Sequence, residues 1–183
     1  MVKLRIMRAL IFMLTGLTGC TTVQAVHPEK ELSGSLVRVG TFDSRAIAIA
    51  HYRTKAHASY IEGLKAKRAK AAAAVDKERV KALEAEGEAS QELAHKQGFS
   101  TWPVNNLLEK IKGKIPEIAK QANVDLIVSK WDIAYQRSGV EFIDVTDVMV
   151  KIYNPDAQTL EILEQLKTQD PVSLEELEKH KHY

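Results

Sequence analysis

Cys20 is the only cysteine in the 183-residue chain, and it stands directly after Leu17-Thr18-Gly19. An apolar residue, two small residues and a cysteine make a bacterial lipobox. In that chemistry the sulfur takes a diacylglyceryl group, cleavage frees the Cys20 amine, and acyl chains hold the protein at a membrane without a spanning helix. The flanks agree. Lys3, Arg5 and Arg8 form a basic leader and Ala9 to Leu14 an apolar run far too short to cross a bilayer. Residues 1–19 therefore read as a lipoprotein signal peptide. A second reading stays open, because Val23-Gln24-Ala25 also fits an ordinary secretory cleavage site, which would discard Cys20 and release a soluble periplasmic chain. Both readings export the protein. In a Gram-negative envelope Thr21, not being aspartate, favours an outer-membrane anchor facing the periplasm.

The other residue types capable of chemistry are poorly placed for it. His51 and His57 are six apart, which on one continuous helix turns them to different sides. Two imidazoles sharing a metal need the His-x3-His spacing. His95 is isolated, and His180 and His182 fall in a polar tail. Asp144 and Asp147 flank a helix start, where carboxylates have an electrostatic reason to sit without reacting. Gly34 and Gly40 do not form a phosphate loop. No nucleophile is paired with a recognisable base, so the sequence reads as non-enzymatic, with no metal and no cofactor.

Charge narrows the partners. The chain carries 26 basic and 24 acidic side chains, a net of +2, and losing the three leader cations leaves 23 against 24. That balance argues against a nucleic-acid binder. Locally it is uneven: Arg45 to Lys81 holds ten Lys/Arg and three acids, followed by Glu84, Glu86, Glu88 and Glu92 before Lys96. Such a pattern is either a solvated helix face or a basic surface for acidic segments or anionic lipid.

Residues 20–35 lack periodicity and read as a flexible tether. Leu36 to Phe42 alternates as a first strand, and Asp43 or Ser44 caps the helix that follows. From there to about Gln97 there is no proline, and Ala, Lys, Glu, Arg and Leu dominate, with a thin apolar seam through Tyr52, Tyr60, Leu64 and Ala71. Val104 to Ala122 is a second helical stretch, interrupted near Gly113 to Pro116. Val124–Val128 and Val140–Ile143 read as strands two and three, with Ala134-Tyr135 as a pairing segment between them. Thr146 caps a short helix running to Tyr153, and Ser173 to Glu176 is a capping box for a last, exposed helix.

Strands one and two must meet in one sheet after an excursion of about 80 residues, so the helical path has to return. An unbroken helix from Ser44 to Gln97 would travel roughly 80 Å at 1.5 Å per residue, and Val104 to Ala122 returns less than 30 Å. A reversal near Gly87 balances two arms of roughly 50 to 60 Å. The expected fold class is α+β and mainly helical: a small β-sheet body at 36–154 carrying a long antiparallel helical hairpin, arms about 44–122, then an acidic helical extension at 155–183.

Three segments are similar to the Skp, or OmpH-like, family of periplasmic holdase chaperones: Val37 to Ser44, Val124 to Lys130 with Ala134-Tyr135, and Asp144 to Lys151. The resemblance implies a homotrimer with a shared strand body and helical arms that surround unfolded outer-membrane or envelope proteins. It makes Asp144, Thr146 and Asp147 the structural motif that closes the body. On the arms, Lys65, Lys67, Arg68 and Lys70, interleaved with Tyr60 and Leu64, are the candidate client-binding residues; solvated helix and seam packing remain their alternative. The rival reading is a non-catalytic coiled-coil lipoprotein that tethers an envelope complex, with Phe99 and Trp102 as its contact.

Overall fold

A computed structural model describes residues 37–179. Cys20, the signal peptide, the tether and the terminal histidines His180 and His182 lie outside the described residues. The described chain opens on β1 (Arg38–Phe42) and passes through five helices: α1 (Ser44–Tyr52), α2 (Lys55–Ala73), α3 (Lys77–Phe99), α4 (Asn105–Ile111) and α5 (Ile115–Ala122). Then come β2 (Leu126–Ser129), β3 (Glu141–Asp144), α6 (Thr146–Lys151), α7 (Ala157–Leu166) and α8 (Leu174–Lys179). The protein is mainly helical around a small sheet.

The sheet has order β2-β1-β3 and is parallel throughout. Gly40 faces Ile127 on one side and Ile143 on the other, and this row with Phe42 turns toward the helices. A glycine is required there. A Cβ on Gly40 would lie 3.0 Å from Ile127 Cγ1, 3.1 Å from Val124 Cγ2 and 3.3 Å from the Leu126 carbonyl. The alternate row, Val39 with Leu126 and Phe142, faces away, and Leu126 is exposed.

The core lies between the sheet and its helices. Ile47 of α1, Leu107 and Ile111 of α4, Ile118 of α5, Met149 and Val150 of α6, and Leu163 and Leu166 of α7 are all buried in one cluster. Each large aliphatic side chain buried there contributes on the order of 1.5–3 kcal/mol. The sheet body thus continues through α7, inside the segment read from sequence as an appended extension. Of the described part beyond it, α8 buries no side chain, and the Glu176 N–H donates to Ser173 Oγ at 3.1 Å.

Three helix expectations need correction. α3 runs without interruption through Gly87; the helical path breaks instead at Ala74–Asp76, where Val75 takes a left-handed φ of 59° and Asp76 caps α3 by accepting the Arg79 N–H at 2.9 Å. α2, at 19 residues, is therefore about 28 Å long, half the expected arm. Val104 to Ala122 is not the end of a returning arm: α3 ends at Phe99, after which α4 and α5 join the body core, with Pro116 in the first turn of α5. A further break, absent from the sequence reading, falls at Arg53–Thr54, where Thr54 caps α2 by accepting the His57 N–H at 3.2 Å.

Two more corrections concern the strand ends. Ala134-Tyr135 forms no strand, and Tyr135 is 83% exposed. Thr146 does not cap α6 through its side chain. Its hydroxyl accepts the Asp43 N–H at 3.0 Å, and Asp144 Oδ1 accepts the Thr146 N–H at 2.8 Å. The threonine thereby ties the end of β3 to the end of β1.

Candidate functional site

α2 and α3 lie side by side, with Leu64, Ala71 and Leu83 buried in a seam against Val80. Alanine-rich contacts of this kind bury little area, so the pair is held by few apolar side chains. Polar links cross it: Arg68 Nη2 lies 2.6 Å from Glu84 Oε1, and Tyr60 Oη donates to Glu86 Oε1 at 3.1 Å. Tyr60 is held above the usual phenol range by burial and by the Glu86 carboxylate.

Beside the seam lies a groove of about 620 Å³. Ile61, Leu64, Leu83 and Ala94 give it an apolar floor, and Gly87 and Ser90 keep the α3 wall low. Lys65 and Arg68 stand on the α2 rim, Glu84 and Glu88 on the α3 rim, and His57 and His95 also line it. The exposed Arg68–Glu84 pair is worth about 0–1 kcal/mol and yields readily to a competing charge.

The six arm residues singled out from sequence divide accordingly. Leu64, Lys65 and Arg68 line the groove, but Leu64 is 6% exposed and reaches it as floor and seam. Tyr60 is exposed and engaged with Glu86; Lys67 and Lys70 are exposed outside the lining. Sequence reasoning missed the α3 wall, whose only signal was a run of small residues, Gly87, Ala89, Ser90 and Ala94.

His51 and His57 do not face different sides. The break at Arg53–Thr54 brings their rings to 5.9 Å, and Tyr52 lies 5.2 Å and Tyr153 5.6 Å from the His51 ring. The Lys110 ammonium is 3.2 Å from His51 Nε2. Burial, then the Lys110 charge and His57, press His51 down to about 4, so its ring is neutral at pH 7 and accepts from Lys110. Burial and Lys110 lower His57 as well, and burial pushes the Tyr153 phenol up to about 12.

At the C-terminal ends of the strands sits a buried charge cluster. Arg45, 2% exposed, donates to the Asp43 carboxylate at 2.8 Å, and Lys130 approaches the same carboxylate at 2.9 Å. Trp131 Nε1 donates to Asp43 Oδ1 at 3.2 Å, and its ring carries the Lys130 ammonium at 4.5 Å and the Arg45 guanidinium at 5.0 Å. Burial pushes Asp43 up, but hydrogen bonds and charge from Arg45 and Lys130 outweigh it and hold the carboxyl below its ordinary value. Asp144, Thr146 and Asp147 join Asp43 around a cavity of about 20 Å³, room for one water. The Asp43 carboxylate is held by Arg45, Lys130 and Trp131, the Thr146 hydroxyl by the Asp43 N–H, and Asp147 pairs with Lys167 at 3.2 Å.

No family model, curated protein or solved structure matches this chain. Among the described residues no group of three or more His, Cys, Asp or Glu is placed to hold a metal ion, and no helix is long and apolar enough to cross a membrane.

Proposed function

We propose that this protein is a periplasmic holdase chaperone of the Skp kind, anchored to the outer membrane through a lipid on Cys20, whose α2–α3 pair is an antiparallel hairpin arm that binds unfolded envelope proteins. The observation that carries the reading is the groove: an apolar floor open to solvent, flanked by Lys65 and Arg68. Apolar segments of an unfolded chain bury area on such a floor, and weak contacts repeated over several arms add up by effective concentration. Lys65 and Arg68 on the α2 rim can pair with acidic segments of a client, and Glu84 and Glu88 on the α3 rim with basic ones.

The body supports the trimeric form of the proposal. Among the described residues no further strand pairs with β2 or β3, and the outer face of the sheet presents Leu126, Val128 and Phe142 beside the exposed Tyr135. Copies joined there would cover apolar surface and group the arms. No catalytic role enters the proposal. The adaptor reading draws on Phe99, 52% exposed at the end of α3, with Trp102 half-buried beneath Lys96.

The test adds the lipid-free chain from residue 27 to a urea-unfolded outer-membrane β-barrel protein during dilution and records light scattering. Suppression at near-stoichiometric trimer, weakened by salt and by Lys65→Glu with Arg68→Glu, is expected. Unchanged scattering would refute the holdase and leave the adaptor.

A further inference from the structure

The groove between α2 and α3 carries opposite charge on its two walls. Lys65 and Arg68 stand one turn apart on α2, and Glu84 and Glu88 one turn apart on α3. Arg68 is paired with Glu84 and Lys65 with Glu62, yet each of these side chains is at least 43% exposed. Exposed pairs contribute little to stability, so they exchange readily for charges on an occupant. The lining runs from His57 to Arg68 along α2 and from Leu83 to His95 along α3, about 17 and 18 Å, or about three turns of helix.

Gly87 lies within the α3 wall. Glycine inside a helix is destabilising relative to alanine. A Cβ on Gly87 would meet nothing within 4 Å, so no close contact among the described residues calls for glycine there. The missing side chain instead leaves the α3 backbone open to whatever enters the groove.

Shape and charge together select the occupant. An extended segment laid on the floor points alternate side chains down into the groove and up into solvent, and offers neither rim a charge. A helix sets an apolar stripe on Ile61, Leu64 and Leu83 and turns the residues beside that stripe toward both rims. We propose that the groove binds an amphipathic helix about three turns long, with acids on the flank that meets Lys65 and Arg68 and bases on the flank that meets Glu84 and Glu88. This deepens the reading above and rests on the groove as the client site: it names the client segment as one that coils into a charge-split helix.

The test titrates the full chain with three fluorescein-labelled peptides of one composition, reading anisotropy. One is the charge-split helix, one has the same apolar stripe with acids and bases mixed on both flanks, and one alternates its apolar residues as a strand. The two helical peptides are matched in helicity by circular dichroism. The split helix should bind at least fivefold tighter than the mixed one, with the strand peptide weakest, and high salt should shrink the difference. Lys65→Glu with Arg68→Glu makes both rims acidic and should erase the advantage of the split helix. Gly87→Leu should weaken the split helix at least tenfold. Gly63→Leu should not, since its Cβ also meets nothing within 4 Å but Gly63 lies outside the lining. Urea unfolding first shows each variant folded. Equal binding of split and mixed helices, a strand peptide that binds as tightly as the split helix, or an unaffected Gly87→Leu variant would each overturn the proposal. Preference for the split helix with unchanged client scattering would retire the holdase and keep the groove as a helix site; suppressed scattering with split and mixed peptides bound alike would do the reverse.

Discussion

Acidification should loosen the joint between α1 and α2, and His51 is the reason. Around its ring stand Lys110 from α4, His57 from α2, Tyr52 from α1 and Tyr153 beyond α6. The two charged or chargeable neighbours are cationic, and burial acts in the same direction. His51 falls from an ordinary 6.5 to about 4 in the folded protein. A base whose folded pKa is depressed binds more protons when unfolded, so its stabilising contribution is complete above pH 6.5 and is lost as pH falls toward 4. The full shift would amount to about 3 kcal/mol at about 1.4 kcal/mol per unit. The ring is only part-buried, and solvent screening reduces this to about 1–2 kcal/mol. Asp43 and Asp156 are lowered from 3.8, so their contributions fade only below that pH. Between pH 6.5 and about 4 the loss therefore comes from His51, with His57 lowered in the same direction. Urea unfolding of the wild type should lose about 1–2 kcal/mol more across this window than His51→Gln, and Lys110→Met should recover part of the difference. Equal pH slopes in wild type and His51→Gln would refute the reasoning.

Asp43→Asn leaves the buried Arg45 guanidinium without its anion and should cost about 3–5 kcal/mol in urea unfolding. Gly40→Ala forces a Cβ against Ile127, Val124 and a backbone carbonyl and should cost about 1–3 kcal/mol by the same assay. Val75→Gly relieves a β-branched residue of left-handed backbone and should stabilise by about 1 kcal/mol, seen as a raised urea midpoint.

The local patterns along the sequence translated well where period and cap agreed. Alternation found β1, the cap at Asp43 opened α1, and the 3.6-residue stripe of Leu107, Ile111 and Ile118 located helices that pack in the core. Pro116 marked the restart at α5. The break was misplaced because balancing two arms over the whole excursion put it near Gly87, whereas Val104 to Ala122 packs in the body core and a glycine inside a helix costs only about 1 kcal/mol. The stronger signal was Asp76, an N-cap after four alanines. Missing the Thr54 cap had a larger consequence, since one continuous helix separates His51 from His57 and the broken one joins them. The partnership of Arg45, Asp43, Lys130 and Trp131 spans 88 residues and depends on the ends of two neighbouring strands. No local pattern encodes it. Of the groove, the α2 rim was legible as a run of cations, and the α3 wall became visible only when the two helices were set side by side.

Whether the groove takes unfolded chain is tested most directly by placing a photo-crosslinking residue at Gln91, which lines it, and in a second variant at Ala85, which is exposed outside the lining. With an unfolded outer-membrane protein present, Gln91 should capture the client and Ala85 should not. Equal capture from both positions, or none from Gln91 while scattering is still suppressed, would contradict the groove as the binding site.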